Sequence, residues 1–441
     1  MLTNIIRELD QGLIIRHATL EDTQPLAKFN KEIHADWDWV GVGIEAWTLD
    51  LISGEGPTFD TEDFTIVEDT KTGEIVSTCC LISQTWSYEG IPFKVGRPEL
   101  VATMEDYRRR GLVRQQFEIL HEWSKARGEL VQVITGIPYY YRQFGYEMTL
   151  NLEGGRSGYA VHVPKLKEDE TEPYTFRPGT LDDLGFLITT FEQGCQRSMV
   201  STIWNEETWR YELTGKRKYN INRRDIFIIE DEAGESVGFI GTPPVKWKGI
   251  SALTVYEIAP GFSWSDVTPS VVRFLWNRGD DLAREQKADQ NQFGFFLGDT
   301  HPVYDVLASK LPREHKPYAF YVRVPDLCAF IRKIRPVLES RMEESSFSNY
   351  SGELKLCFYR SGLKLVFSKG QLTELEEQDY VDPETATACF PPLVFYHLLF
   401  GHRTMDELDH AFTDCYAKNA ESKNLLNALF PKKSSHVWSI S

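Results

Sequence analysis

The sequence predicts two related α/β units followed by an α+β unit, and three observations lead to this fold class. Segments of the chain recur at a spacing of 161 residues. Strand-like and helix-like stretches alternate within the first copy, which is typical of an α/β unit. The C-terminal stretch instead alternates apolar and polar residues between glycine turns, which indicates antiparallel strands. With 441 residues the chain is long enough for several domains.

The repeat rests on three pairs of segments that keep nearly the same spacing. Strand-turn-strand segments that are similar only by chance would not recur at one spacing, so the repeat indicates two copies of one fold. We expect domains at 1–166 and 174–327, joined by the charged linker KLKEDETEP, and a third domain at 328–441. The paired segments are LIIRHATLED from Leu13 with YTFRPGTLDD from Tyr174, DFTIVEDTKTGEIV from Asp63 with DIFIIEDEAGESVG from Asp225, and VHVPKL from Val161 with VRVPDL from Val322.

Within the first copy, hydrophobic spacing gives the order of the elements. A strand hairpin surrounds Gly73, and a further strand ends near Met104. A helix begins near Leu112, keeps its apolar side chains at helical spacing and stops at Gly128. It is followed by the short strand LVQVIT, a helical turn or two at YYYRQF and a last strand, YEMTLNL. In the third unit, GELKLCFYRSGLKLVFSKGQLTEL predicts a meander of antiparallel strands followed by two helices.

Composition narrows the possible functions. The chain has 48 basic and 65 acidic residues and a net charge of -17, which argues against a general nucleic-acid binder and is compatible with cationic ligands. No run reaches the length of a membrane-spanning helix and the N-terminus lacks the apolar region of a signal peptide, so we expect a cytoplasmic protein without membrane contact. The seven cysteines include no CxxC pair, so neither a metal site nor a disulfide framework is expected.

The stretch YRRRGLVRQQ, residues 107–116, places four arginines around one glycine in an acidic chain. It lies between a strand and a helix, where first-turn N–H groups have no partners and the helix dipole favours an anion. Gly111 lets a ligand approach the backbone without a side-chain clash, and the arginines add donors for phosphate oxygens. The run therefore predicts a diphosphate cradle; a solvated, charge-rich helix start is the alternative.

This run resembles the acetyl-coenzyme A site of the GNAT family of N-acetyltransferases, whose pattern is Arg or Gln, two residues, Gly, one residue, then Gly or Ala. Arg108 and Gly111 occupy the first two marked positions, and Val113 stands where the family has Gly or Ala. The resemblance implies that the preceding strand pairs its backbone with the pantetheine arm of acetyl-coenzyme A. The implied cofactor-binding residues are Val101, Ala102, Thr103, Arg108, Arg109, Arg110, Gly111, Leu112, Val113 and Arg114.

A second element of the same family follows the next strand. The family has an aromatic residue, Tyr, three residues, Gly and another aromatic residue, and here these positions run from Tyr140 to Tyr146. The resemblance implies Tyr141 as the general acid that protonates the coenzyme A thiolate as it leaves. A phenol with a pKa near ~10 suits this donation. An ordinary core aromatic residue is the alternative.

The second copy repeats the flanking segments but not the cradle. At the repeat spacing, the positions of Arg108 and Gly111 fall on Pro269 and Val272, inside SWSDVTPSVVRFLW. No arginine-glycine pattern stands there. We therefore expect the second copy to be a degenerate GNAT domain that has lost coenzyme binding and serves as scaffold.

Two tandem GNAT units followed by a unit that resembles sterol-carrier-protein domains is the arrangement of the enhanced-intracellular-survival (Eis) group of acetyltransferases. In that group the terminal carboxylate helps to accept the proton of the amine, which implies Ser441 as a catalytic group. Glu99, on the strand before the cradle, is a second candidate base, and a salt-bridged strand residue is its alternative. Water is the third possible base. Members of the group form hexamers, so the resemblance implies a homo-oligomer.

A segment rich in acidic and aromatic residues is the candidate acceptor site. Early helices of the family line the acceptor pocket at this place, and carboxylates with indoles suit a cationic amine. The candidate residues are Asp36, Trp37, Asp38, Trp39, Glu45 and Trp47. Packing of the tryptophans against the sheet is the alternative. The implied acceptors are small-molecule amines, such as aminoglycosides or polyamines, and lysine side chains. A non-catalytic coenzyme-A-binding or scaffold protein is the alternative function, and lipid carriage by the last unit would need a continuous apolar cavity there.

Overall fold

A computed structural model describes residues 4–34, 38–246, 249–287 and 289–437. The predicted mixed α/β and α+β fold class is confirmed, with GNAT-like sheets flanked by helices. The first part of the chain forms strands β1 (Ile5–Glu8), β2 (Leu13–His17), β3 (Phe64–Asp69), β4 (Glu74–Tyr88), β5 (Ile91–Thr103), β6 (Val131–Thr135), β7 (Glu147–Leu152) and β8 (Gly155–Tyr159), with helices α1 (Thr23–His34), α2 (Asp38–Ile52) and α3 (Leu112–Ala126).

The rest of the chain adds a second set of alternating elements and then the predicted meander. The second set comprises β9 (Thr175–Pro178), α4 (Leu184–Cys195), β10 (Val200–Thr202), α5 (Glu206–Arg210), β11 (Asp225–Glu230), β12 (Ser236–Thr242), β13 (Ile250–Leu253), β14 (Val255–Ile258), α6 (Trp264–Gln286), β15 (Gln292–Phe295), α7 (Val303–Val306), β16 (Arg313–His315) and β17 (Tyr318–Arg323). The last set comprises α8 (Leu327–Glu344), β18 (Gly352–Cys357), β19 (Gly362–Ser368), β20 (Gln371–Gln378), β21 (Ala388–Cys389), α9 (Phe395–Leu399), α10 (Met405–Ala411), β22 (Tyr416–Ala417) and α11 (Ala420–Leu429).

The strands form four sheets. The largest has the order β1-β2-β3-β4-β5-β6-β17-β7, and β10 is attached to the free part of β4. Two four-stranded sheets have the orders β14-β12-β11-β9 and β13-β15-β8-β16. The last part of the chain forms the sheet β20-β19-β18-β21-β22. The candidate site lies in the largest sheet, where β5 meets β6.

The two halves of the repeat exchange strands. Strand β17, from the second half, lies between β6 and β7 and pairs antiparallel with both. Strand β8, from the first half, lies between β15 and β16, again antiparallel to both. The stretch YEMTLNL, which forms β7, is therefore not the last strand of the first copy, contrary to the sequence prediction. Each half completes a sheet of the other half.

The repeat also extends to individual side-chain contacts. Arg16 donates from Nη1 and Nη2 to the two carboxylate oxygens of Asp22, at 2.8 and 2.7 Å. Arg177 donates in the same way to Asp183, at 2.8 and 2.7 Å. Both aspartates follow a threonine by three residues and close a capping box at the start of a helical turn. The segments that recur in sequence thus share their local geometry.

The third unit packs against the largest sheet through a shared apolar core. Tyr88 at the end of β4 is fully buried in this core, and its hydroxyl donates to the Leu399 carbonyl at 2.8 Å. Arg341 on α8 pairs with Glu89 at 2.8 Å. The last described segment of the third unit contacts the second half, where the Met199 N–H donates to the Ser434 carbonyl at 2.8 Å.

Within the described parts of the chain, no helix is both long enough and apolar enough to span a membrane. The same residues contain no cluster of His, Cys, Asp and Glu side chains that could hold a metal ion. All seven cysteines are free thiols.

Candidate active site

Strands β5 and β6 diverge and open a cleft in the largest sheet. They pair in parallel only near their starts, and the last pair is Gly96 with Gln132. Leu100 takes a positive φ of 51°, and the register between β4 and β5 shifts beside it, which is a β-bulge. Beyond the bulge, the backbone of residues 101–103 has no partner strand on the β6 side. These backbone groups can pair with an extended ligand.

The arginine-glycine run forms the turn that leads from this cleft into α3. Gly111 is the N-cap of α3, with φ at 78° and no side chain to cap the first turn. A Cβ atom at Gly111 would meet nothing within 4 Å, so the helix start faces open space. Arg109 also takes a positive φ, of 64°. An uncapped helix start with an open face is the geometry that binds a phosphate.

Helix α3 is held on the sheet by a buried polar contact. Gln116 is fully buried; its Oε1 accepts from Ser77 Oγ at 2.8 Å, and its Nε2 donates to Thr65 Oγ1 at 3.0 Å. Because unpaired amide groups in the core would cost free energy, these bonds fix the depth and rotation of the helix. The helix start is thereby positioned over the cleft.

A cavity of about 680 Å³ occupies the space between the cleft and the helix start. We call it the coenzyme cavity. Ile33 and His34 at the end of α1 close one side, and Ile137, Tyr140 and Phe144 close another. Nine of the ten sequence-predicted cofactor residues line it, namely Val101, Ala102, Thr103, Arg108, Arg109, Gly111, Leu112, Val113 and Arg114.

The arginines of the run take different directions. Arg114 lies over the Phe144 ring at 5.2 Å and donates to Gln143 Oε1 at 3.0 Å, which keeps its guanidinium at the cavity wall. Arg110, the tenth predicted residue, does not line the cavity. Its guanidinium lies 4.6 Å from the Tyr107 ring centre and donates to the Asp106 carbonyl at 2.9 Å. The sequence pattern predicts the same role for both arginines, whereas their contacts place only Arg114 at the cavity.

Tyr141 lies at the junction of the coenzyme cavity and a second cavity, described below. Its ring is buried and packs against Phe117, with 5.8 Å between ring centres. Its hydroxyl makes no hydrogen bond to any part of the chain that the structure describes, so it is available to a ligand. Burial is the main cause that raises the pKa of Tyr141 above its usual value near ~10, and the nearby Glu99 carboxylate raises it further. The phenol therefore keeps its proton at neutral pH.

The loop before Tyr141 is fixed by two tyrosines of the exchanged strand β17. The Tyr318 hydroxyl donates to the Gly136 carbonyl, and the Tyr321 hydroxyl donates to the Ile137 carbonyl at 3.2 Å. The Tyr321 ring also packs edge-on against Tyr141, with 5.5 Å between ring centres. A strand from the second half of the repeat thus positions the candidate acid of the first half.

Glu99 lies on β5 beside the bulge. Its Oε1 accepts from the fully buried Arg97 guanidinium and from Thr135 Oγ1, the latter at 3.3 Å. The Arg97 contact is the salt bridge that the alternative sequence interpretation expected. Glu99 nevertheless lines the second cavity together with Tyr141. The two groups can therefore meet the same ligand.

The second cavity, of about 430 Å³, lies on the far side of Tyr141, and we call it the acceptor cavity. His34, Val101, Gly136 and Ile137 join Tyr141 and Glu99 in its wall from the first half of the repeat, with Ile44 and Trp47 from α2. The opposite wall is Glu153, which follows β7, and residues of the second half, namely Ile221, Asn222 and Arg224. Ligands in the two cavities would meet at Tyr141.

Three of the predicted site residues cannot be placed in this geometry. Asp36, Trp37 and Ser441 lie outside the described residues. Trp39 belongs to the first turn of α2, and only its backbone is described. Trp47, also a candidate from the sequence, lies two turns further along α2 and lines the acceptor cavity.

The second-half wall was missed because its residues lie 80 or more positions after Tyr141 and carry no motif. Contacts with Gly43 and Asp50 bring this segment next to α2. His121 on α3 forms a hydrogen bond between its Nε2 and Tyr146 Oη at 2.8 Å, and burial lowers its pKa to about 3. It lines neither cavity.

A further cavity of about 580 Å³ lies on the other side of β4 and β5, between Phe59, Arg127 and Trp204. Its walls contain neither the helix start of α3 nor Tyr141. It therefore lacks the groups that the chemistry of the cleft requires.

The fold and the cleft agree with a match to one protein family over part of the chain. Residues 43–149 match the family described as "Acetyltransferase (GNAT) domain". This range contains α2, the cleft, the arginine-glycine run and Tyr141. The chain therefore carries a GNAT acetyltransferase domain.

Solved structures of similar fold extend over almost the whole chain. A conserved protein from Enterococcus faecalis, called a probable N-acyltransferase, is similar with a TM-score of 0.65 at 13% identity, covering 97% of this chain and 98% of its own. A GCN5-related N-acetyltransferase from Anabaena variabilis gives 0.64 at 12% identity, covering 97% and 100%. Eis1 from Mycobacterium abscessus gives 0.57 at 10% identity, covering 96% and 99%. No curated protein matches the chain in sequence. At these identities the likeness concerns the fold.

Proposed function

We propose that the protein transfers the acetyl group of acetyl-coenzyme A to a primary amine, with Tyr141 as the general acid. The single observation that carries this proposal is the position of Tyr141, a buried phenol that lines both cavities and whose hydroxyl has no hydrogen-bond partner among the described residues. One cavity has an uncapped helix start for a diphosphate, and the other has carboxylates for an amine. A proton donor at the junction of the two cavities can protonate the coenzyme A thiolate as it leaves.

Acetyl-coenzyme A would occupy the coenzyme cavity as co-substrate. The first turn of α3, from Gly111 to Arg114, and the Arg109 side chain would hold the diphosphate. Backbone groups of residues 101–103 on the side that faces away from β4 would hydrogen-bond the amides of the pantetheine arm. Arg108 also lines the cavity and is exposed, and its charge would contribute to binding of the diphosphate. Arg110 has little part in this proposal because it lies outside the cavity.

The chemistry that follows is direct transfer. The neutral amine attacks the thioester carbonyl, so that a C–N bond forms and the carbonyl oxygen takes the electron pair. When this pair returns, the C–S bond breaks, and Tyr141 gives its proton to the departing sulfur. The nitrogen loses its extra proton to a base, and Tyr141 is reprotonated from solvent. The products are the N-acetylated amine and free coenzyme A.

The base has two candidates on the chain. Glu99 lines the acceptor cavity and can accept the proton directly or through water. The terminal carboxylate of Ser441 is the second candidate, from the resemblance to the Eis group. The last described residues of the chain contact the second half, where the His436 N–H donates to the Val200 carbonyl at 3.1 Å.

The wider organisation belongs to the same proposal. We regard the second half as a degenerate GNAT copy and the third unit as a sterol-carrier-like packing module, in the tandem arrangement of the Eis group and as a homo-oligomer. The shared Arg16–Asp22 and Arg177–Asp183 contacts support the duplication. The protein would work in the cytoplasm, where its co-substrate is formed.

A thermal-shift measurement followed by a thiol-release assay tests the proposal. Acetyl-coenzyme A at a hundred times its Kd should stabilise the full chain by about 2.7 kcal/mol, and an amine from a broad panel should then release coenzyme A. If acetyl-coenzyme A binds but no amine releases coenzyme A, the chain is a non-catalytic coenzyme-A-binding protein. If it does not bind, the cleft has another ligand.

A further inference from the structure

Two buried side chains in the wall of the acceptor cavity each carry an N–H group that has no partner. Trp47 on α2 is 4% exposed, Asn222 in the second half is 6% exposed, and both line the cavity. Neither Trp47 Nε1 nor Asn222 Nδ2 makes a hydrogen bond to any part of the chain that the structure describes. Because buried polar groups in folded proteins are nearly always paired, two unpaired donors in one cavity wall indicate a ligand.

Helix α2 faces the segment 217–224 of the second half with three of its residues. Gly43, Trp47 and Asp50 follow each other at steps of four and three positions, so they lie on one side of the helix. The Gly43 carbonyl accepts from the Ile221 N–H at 3.2 Å, and Asp50 accepts three hydrogen bonds from the segment. Trp47 stands between these two contacts and therefore faces the same segment.

The Asp50 carboxylate fixes the segment against α2. It is 2% exposed and accepts from the Arg217 backbone N–H at 2.9 Å, from the Arg217 guanidinium at 2.7 Å and from the Asn220 side-chain amide at 2.7 Å. A buried carboxylate with charge-assisted hydrogen bonds is a strong anchor. The wall that carries Asn222 is therefore held in place beside the helix that carries Trp47.

The backbone of Asn222 is held on both sides. Its N–H donates to Asn220 Oδ1 at 2.8 Å, and its carbonyl accepts from Lys216 Nζ at 3.3 Å. Lys216 is itself buried and pairs with Glu212. With its backbone fixed and its side chain buried, Asn222 cannot carry the amide out to water. The unpaired N–H group therefore stays in the cavity wall.

The chemistry of the two donors selects for a hydrogen-bond acceptor on the ligand. An indole N–H and an amide N–H both donate, and oxygen atoms accept from such groups. An oxygen of a bound molecule that pairs with either donor removes the cost of burying that donor unpaired, whereas an alkyl group at the same place leaves this cost in full. The preference concerns the oxygen atom, and it holds for an acceptor of any net charge.

The donors lie in the same cavity as the groups proposed to act on the amine. Tyr141 and Glu99 are also in its wall. With a volume of about 430 Å³, the cavity has the size that encloses one small molecule. The amine and the oxygen are therefore carried by one compact molecule.

We propose that the acceptor is a small primary amine that also carries a carbonyl, ether or hydroxyl oxygen, and that Trp47 and Asn222 bind this oxygen. This inference rests on the acetyl transfer proposed above. Trp47 Nε1 and Asn222 Nδ2 donate to the oxygen, while the amine faces Tyr141 and Glu99. Both donors determine specificity, and neither takes part in proton transfer. The second half is then part of the active site and not scaffold alone.

Matched amines that differ in a single atom test the inference on the full chain. 2-Methoxyethylamine and butylamine have the same length, and only the first has an ether oxygen. 3-Methoxypropylamine and pentylamine form a second pair, with the oxygen one bond further from the nitrogen. In the thiol-release assay, with rates expressed per concentration of neutral amine, we expect kcat/KM for at least one ether to exceed that for its alkyl partner about tenfold or more.

Two variants remove the donors one at a time. Asn222→Leu and Trp47→Phe should each lower the ratio of ether to alkylamine about threefold or more, because each removes one N–H donor. Neither variant should change the affinity for acetyl-coenzyme A. Asn277→Leu and Trp276→Phe are the matched controls and should leave the ratio unchanged, since both positions lie on α6 and line neither cavity.

The outcomes separate this inference from the function on which it rests. A wild-type ratio near one in both pairs of amines overturns it while acetyl transfer stands, and this result needs no variant. An equal loss of kcat/KM for ether and alkylamine in Asn222→Leu and Trp47→Phe also overturns it, because the donors would then serve the chain itself. If acetyl-coenzyme A binds and no amine of any class is acetylated, the proposed function fails and this inference fails with it. A ratio that falls in these two variants but not in the controls supports it.

Discussion

Gly136 lies directly against the ring of Tyr141: a Cβ atom at Gly136 would come within 3.0 Å of Tyr141 Cε2. The glycine also has φ at 137°, where L side chains are strained. No other residue at this position would let the Tyr141 ring keep its place between the two cavities.

Gly136→Ala should therefore lower kcat by displacing Tyr141. We expect a loss of about tenfold or more, because small misplacements of a reacting group are costly. Steady-state kinetics with the best amine would show it. Gly73→Ala is the matched control, since Gly73 has a positive φ of 75° but no atom within 4 Å of the added Cβ. Equal losses in both variants would show that backbone strain, and not contact with Tyr141, is responsible.

Tyr141→Phe should retain acetyl-coenzyme A binding and lose about 10²-fold or more in kcat. The phenol contributes only its proton to the leaving sulfur, so the affinity measured by calorimetry should change little. Tyr139→Phe serves as the control because Tyr139 is 78% exposed. A Tyr141→Phe variant with full turnover would remove tyrosine from the mechanism.

The rate should not fall through ionisation of Tyr141 at moderately alkaline pH. Tyr141 acts in its protonated form, and its pKa in the folded protein is raised, so the active form persists below the usual phenol pKa of ~10 and is lost only above it. A pH profile of kcat between pH 6 and pH 10 checks this. A decrease centred near pH 8 that is absent in Tyr141→Phe would contradict the raised pKa.

The arginines of the cradle should differ in their contribution to coenzyme affinity. Arg114→Ala should weaken acetyl-coenzyme A binding about tenfold, because a charge-assisted bond to phosphate is removed, and added salt should reduce the difference. Arg110→Ala should leave the affinity nearly unchanged, since Arg110 lies over Tyr107 and outside the cavity. Isothermal titration of both variants at two salt concentrations measures this. A larger loss for Arg110→Ala would mean that the turn rearranges on binding.

The exchanged strands predict how the chain can be divided. Residues 1–166 alone should not fold, because the gap between β6 and β7 that β17 fills would be open. Coexpressed fragments 1–169 and 170–441 should assemble, because the break lies in an exposed linker and both exchanges stay intact. Copurification and circular dichroism would test this. A compact, monomeric fragment 1–166 with native far-ultraviolet and near-ultraviolet spectra would contradict it.

The sequence predicted well what local spacing determines. The start of α3 near Leu112 and its end before Gly128 follow from one contiguous stretch. Nine of the predicted cofactor residues line one cavity, and their part in binding stays a prediction. Ile221 was not found because it depends on a contact between distant parts of the chain, in which Asp50 accepts from Asn220 and holds the segment. Arg110 was predicted to bind the cofactor, but its guanidinium packs on the Tyr107 ring and does not line the cavity. Neither contact has a periodic or motif-like signal.

The charge of the acceptor cavity is a second example. The acidic composition and the aspartates near Trp37 favour a cationic acceptor, which stays a prediction, but composition averages over the whole surface and does not give the partner of any one carboxylate. At the cavity, Glu99 is paired with Arg97. Such pairing is a property of the folded chain.

On the proposed duplication, strand β17 explains why a copy without a cradle is retained in the gene. Redundant copies are normally lost by deletion. Here deletion would remove a central strand from the largest sheet, together with the tyrosines that hold the Gly136 loop. Selection on the first copy would therefore preserve the backbone of the second copy, even after mutations had removed its ligand binding.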